Sequence, residues 1–72
     1  MIIGEQIKRA RAQAGLSLRD LAEQTGVSAQ AISKYERGLE VPGSAALIRL
    51  ARAMQVRVEY FFRPANNNVE GK

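Results

Sequence analysis

Seventy-two residues carrying eleven Lys and Arg against seven Asp and Glu make one small basic domain of formal net charge +4, a balance that favours a polyanionic partner. The chain has no Cys and no His, which excludes disulfides, thiolate or imidazole metal ligands and any Ser-His or Cys-His nucleophile, and Asp20, Glu23, Glu36 and Glu40 show no paired spacing for acid–base work. A non-enzymatic protein without cofactor or metal is therefore expected, and a cytoplasmic one, because no run of about 18 apolar residues spans a membrane and the start MIIGEQIKR lacks the basic-then-apolar order of a secretion signal.

Apolar spacing predicts an all-α chain of five helices with short loops and no strand. The first, over roughly residues 3–14, carries Ile3, Ile7, Ala10 and Ala14 on one stripe and Lys8, Arg9 and Gln13 on the other, and Gly15 ends it. Ser17 caps a second helix in which Leu18, Leu21 and Ala22 share a face. Gly26 falls where the chain needs a left-handed turn, Val27 points back toward the core, and Ser28 caps the third helix. There Ala31, Ile32 and Tyr35 face inward, and Gly38 closes the element. Residues 39–43 contain Pro42 and Gly43 and form a loop. A fourth helix from about Ser44 to Met54 turns Leu47, Ile48, Leu50, Ala51 and Met54 inward. A short fifth, near Val58 to Phe62, brings Val58, Phe61 and Phe62. One phenylalanine is expected to complete the core and the other to lie at the surface for self-association, which makes Phe61 and Phe62 candidates for a dimer contact. After Arg63-Pro64 the segment ANNNVEGK has almost nothing to bury. The domain is thus assigned to residues 1–63, with a flexible tail or the start of a linker over 64–72.

Two short amphipathic helices joined by a tight glycine-containing turn place the second helix across the first, a shape that fits the major groove of DNA. Ala29, Gln30, Ser33 and Lys34 are left facing outward. They are short or hydrogen-bonding, which suits close approach to base edges and phosphates.

The order GLSLRDLAEQTGVSAQAISKYERG, then Pro42, then ALIRLARAMQVRVEYFF, resembles the Cro and phage-repressor type of helix-turn-helix protein, the XRE family, over about residues 3–62. The resemblance implies a compact five-helix DNA-binding domain of the phage-repressor type, acting as a repressor that binds palindromic operators as a dimer. It places base contacts on Ala29, Gln30 and Lys34, and backbone contacts on Ser17, Arg19, Ser28, Ser33 and Arg37. Arg11 and Glu36 match a family ion pair linking the first helix to the third. The partners implied are double-stranded DNA and a second copy of the chain. The ending VRVEYFFRP resembles regulators in which such a module heads a longer chain with an effector domain.

Two positions depart from the family pattern. Leu18 stands where a Gln commonly meets phosphate, and Glu40 stands where the loop usually carries a cation or Asn. Both weaken the expected grip on the backbone, which Arg19 and Arg37 can offset. They also favour the alternative function, a protein-interaction module such as an antitoxin or a sequestering regulator, since the fold alone does not specify DNA.

Overall fold

The computed structural model describes residues 2–63, so the tail expected over 64–72 lies outside the described residues. Helices α1 (Ile2–Ala14), α2 (Leu18–Thr25), α3 (Ala29–Glu36) and α4 (Ser44–Met54) are followed by a 3-10 helix, Val58–Phe62. No strand occurs among the described residues. All five expected elements are present, but the last is not α-helical. Its amides bond three residues back, Tyr60 to Arg57 and Arg63 to Tyr60, a tighter winding that suits an element of only five residues.

The ends of the helices are set by local chemistry. Gly38 adopts φ 76 and donates to the Tyr35 carbonyl, while Leu39 N–H reaches back to Lys34. That pair of bonds closes α3 and needs a left-handed residue, which glycine supplies without a Cβ clash. The end of α4 repeats the pattern with no glycine: Gln55 takes φ 58, and Gln55 and Val56 donate to Arg52 and Ala51.

Each element contributes one side chain with no solvent exposure: Ile7, Leu21, Ile32, Leu50 and Phe61. Burying each stabilises the fold by about 1.5–3 kcal/mol, so no helix can leave without opening the common core. Helix α1 packs on α3 and the 3-10 helix, and α2 packs on α3 and α4.

The contact between α1 and α3 is unusually close. A Cβ on Gly4 would stand 2.3 Å from the Tyr35 carbonyl oxygen and 2.9 Å from that of Glu36. Gln6 is also buried, its Nε2 donating to the Tyr60 carbonyl at 3.0 Å. Two expected core positions turn outward instead. Ala14 is exposed because the chain reverses at Gly15, and Leu16 packs on the core in its place. Ile48 is 45% exposed because the buried stripe of α4 runs through Leu47, Leu50, Ala51 and Met54 and leaves it on the flank.

Candidate nucleic-acid interface

The angle between α2 and α3 is fixed from inside the turn. Thr25 is buried, and its hydroxyl donates to the Leu21 carbonyl at 2.7 Å while accepting from Val27 N–H at 3.1 Å. Gly26 bridges the two with φ 77 and donates to the Ala22 carbonyl. Ser28 then caps α3, its hydroxyl accepting from Ala31 N–H at 3.1 Å. An eight-residue helix is marginal in isolation. Its cap and its packing on α1 and α2 therefore hold it in place.

Ile32 is the one residue of α3 that is fully buried. Gln30, Lys34 and Arg37 are exposed, Ala29 and Ser33 are half-buried, and Ser28 is exposed at the cap. Gln30, Ser33, Lys34 and Arg37 line a single shallow depression on the outer side. The amide and two cationic groups expected from the sequence are thus brought together. Ser17 and Arg19 are exposed at the start of α2, a separate point of approach from that depression.

Ser17 carries a feature the sequence reading missed. Asp20 N–H donates to the Ser17 hydroxyl and Ser17 N–H donates to the Asp20 carboxylate, both at 3.0 Å. The amide of Ser17 is therefore engaged by Asp20, and a carboxylate sits at the start of α2, the point where the family resemblance implies a backbone contact. The Ser17 hydroxyl hydrogen remains a donor. The backbone hydrogen bond from Ser17 holds the Asp20 carboxyl below the usual carboxylate range, with the Ser17 hydroxyl adding to it. A Ser-x-x-Asp pattern ahead of an apolar face was the available signal.

Arg11 and Glu36 lie together. Nε of Arg11 donates to Glu36 Oε2 at 2.6 Å, Nη2 to Oε1 at 3.1 Å, and Nη1 to the Leu16 carbonyl at 3.0 Å. One guanidinium thereby ties α1, α3 and the loop before α2. The hydrogen bond to Glu36 raises the Arg11 pKa against the opposing cost of burial. On the opposite flank of α3, Lys34 Nζ stands 3.9 Å from Glu40 Oε2.

Phe61 cannot serve as a dimer contact. It has no exposure and stands edge-on to Tyr60, with ring centroids 6.2 Å apart at 77°. The 3-10 winding turns it into the core and leaves Phe62 54% exposed. Besides Asp20, sequence reasoning missed Gly4, Thr25 and the proximity of Glu40 to Lys34. No short-range rule marks Gly4 or Glu40, because their neighbours come from other elements.

Comparison with known proteins agrees with this geometry. A helix-turn-helix family model matches residues 7–61. An uncharacterized HTH-type transcriptional regulator of Mycobacterium tuberculosis is 40% identical over 59 residues, covering 82% of this chain and 42% of that protein. The chain spans about half the length of the curated relatives it matches. Among known structures, the P22 c2 repressor in complex with a synthetic operator is similar with a TM-score of 0.79 and 31% identity, over 85% of this chain and 92% of that one. The biofilm regulator SinR in complex with DNA is similar with a TM-score of 0.80 and 34% identity, over 85% and 98% of the two chains. No helix among the described residues is long and apolar enough to cross a membrane. A match of this extent settles the family: the chain belongs to the XRE-type helix-turn-helix proteins, and the curated relatives it resembles are named as transcriptional regulators.

Proposed function

We propose that this chain is the sequence-reading module of a cytoplasmic repressor, binding a palindromic operator as a homodimer through α3. The observation that carries the reading is the division of α3: Ile32 alone is fully buried, and Gln30, Ser33, Lys34 and Arg37 share one outward depression. In the major groove the Gln30 amide pairs with the N6 and N7 edge of adenine, and Lys34 reaches the O6 and N7 acceptors of guanine. Ala29 offers its methyl to thymine. Ser17, Arg19, Ser28, Ser33 and Arg37 fix the register through phosphates. Two copies place their α3 helices about 34 Å apart, one turn of the duplex, and exposed Phe62 is the side chain assigned to the contact between them.

Selection of bound sites from a random duplex pool tests the reading directly. A recovered palindrome is expected, with affinity falling steeply as salt rises. Gln30→Ala and Lys34→Ala should each lose about 1–3 kcal/mol at particular base pairs and relax specificity there. Equal weakening on every sequence, or no duplex retained at micromolar protein, refutes base readout. One observation favours a second reading, a protein-docking module. Leu39 and Val41, 63% and 62% exposed, flank Glu40 in the loop beside α3, and a partner that competes for that loop in place of DNA would establish it.

A further inference from the structure

We infer that the chain pairs with a second copy of itself through a knob and a hole side by side at the 3-10 helix, Phe62 of each copy entering the hole beside Val56 and Tyr60 of the other; this rests on the homodimer reading above. A single exposed phenylalanine is ordinary protein surface. Here a matching hole lies next to it. Val56, Arg57, Glu59, Tyr60 and Arg63 line a depression of about 200 Å³ whose lining is mostly apolar. A cavity of about 150 Å³ already holds a benzene ring. Phe62, 54% exposed, adjoins Arg63 in the chain and does not line the depression itself, so its ring is left for the hole of another copy.

The walls of the hole are set before anything enters it. Val56 N–H is fastened to the Ala51 carbonyl at 3.0 Å and Tyr60 N–H to that of Arg57 at 2.9 Å. From α1, Gln6 Nε2 donates to the Tyr60 carbonyl at 3.0 Å, and the Tyr60 hydroxyl donates to Gln13 Oε1 at 3.4 Å. A hole already formed spares the cost of ordering it on association.

The rim adds charge complementarity. Arg57, Glu59 and Arg63 are exposed, and among the described residues none of the three forms an ion pair. A two-fold contact sets one patch against itself, so that residue i meets j and j meets i. Knob and hole share one short stretch, which lets both knobs seat at once with Glu59 of each copy against Arg57 of the other. Such a contact closes on itself and stops at two copies.

Sedimentation equilibrium of the full chain without DNA, from micromolar to millimolar protein, tests the contact. The parent should form a reversible dimer and nothing larger. Phe62→Ala should weaken it about tenfold or more, the worth of burying one aromatic side chain. Glu59→Arg and Arg57→Glu should each weaken it about two- to five-fold, the range of an exposed ion pair. An equimolar mixture of those two single variants should regain the parent affinity, because every reversed charge then meets its opposite. Unchanged thermal melting of each variant would show that the fold is intact. A parent that stays monomeric to millimolar concentration, a Phe62→Ala chain that dimerises as the parent does, or a mixture no tighter than either variant overturns the inference. Dimerisation that appears only once residues 64–72 are removed also overturns it, by making the chain's own continuation the occupant of the hole. A monomeric parent that still selects a duplex leaves DNA reading standing without this contact. A parent that dimerises as described but retains no duplex sinks the DNA-binding reading and leaves the contact in place.

Discussion

Arg11→Ala removes three hydrogen bonds at once and strands the Glu36 carboxylate, whose side chain is only 7% exposed, between α1 and α3. An ion pair on open surface contributes about 0.2–1 kcal/mol, whereas breaking a buried one costs about 3–5 kcal/mol because a charge is left unsolvated. With exposures of 18% and 7%, this pair lies nearer the buried limit, and a loss of about 3 kcal/mol is expected. A domain of this size holds about 3–9 kcal/mol in total, so the variant should be close to the edge of folding. Its melting temperature should drop by about 12–24 °C, followed by far-ultraviolet circular dichroism. The double variant Arg11→Met with Glu36→Leu removes both charges, and it should recover most of the loss because two apolar groups of similar reach can pack where the pair stood. A drop of less than about 5 °C for the single variant would mean that the pair behaves as surface charge. A double variant no better than the single one would mean that the stranded carboxylate is not the cause.

Gly4→Ala sets two effects against each other. Helix propensity favours alanine by about 1 kcal/mol, but the new methyl meets two backbone oxygens of α3 that cannot move aside, and a net loss of about 1–3 kcal/mol is expected. A melting point at or above that of the parent would refute the close contact. Ser17→Ala should cost about 1 kcal/mol in urea unfolding through loss of the cap on α2. Because the Asp20 pKa is depressed in the folded state, its contribution is complete above the ordinary carboxylate range and drains as pH falls through the lowered value. Asp20→Asn should accordingly flatten the acid limb of a melting-temperature profile, and an unchanged limb would argue against the cap. Phe61→Ala should cost about 3–5 kcal/mol and Phe62→Ala within about 0.5 kcal/mol of folding stability, a contrast that equilibrium unfolding resolves.

Legibility in the sequence followed the range of the interaction. The caps at Ser17 and Ser28, the glycine turns at 15, 26 and 38, and the inward faces of α2 and α3 are decided within four residues, and they stand where the periodicity and the breakers put them. The left-handed end of α4 was hidden because Gln55 carries no turn signature; its conformation is imposed by the two carbonyls at Ala51 and Arg52. The winding of the last helix was equally hidden, since five residues with apolar groups at Val58, Phe61 and Phe62 fit either period. The burial of Gly4 and Gln6 depends on α3 and the 3-10 helix, which lie 31 and 54 residues away at Tyr35 and Tyr60. At the interface, the rim of α3 was readable as a polar face. The Lys34–Glu40 pairing was not, because it needs the path of the loop.

That Ile32 is the one fully buried residue of α3 has a consequence for how such a module changes over time. On the proposed DNA-reading function, the scaffold and the vocabulary are written in different residues, so positions 29, 30, 33 and 34, none of them fully buried, can be reshuffled while the hydrophobic interior stays as it is. A library randomised at those four sites should melt in a narrow band around the parent and yet scatter across many targets, which would let one lineage acquire new addresses without refolding.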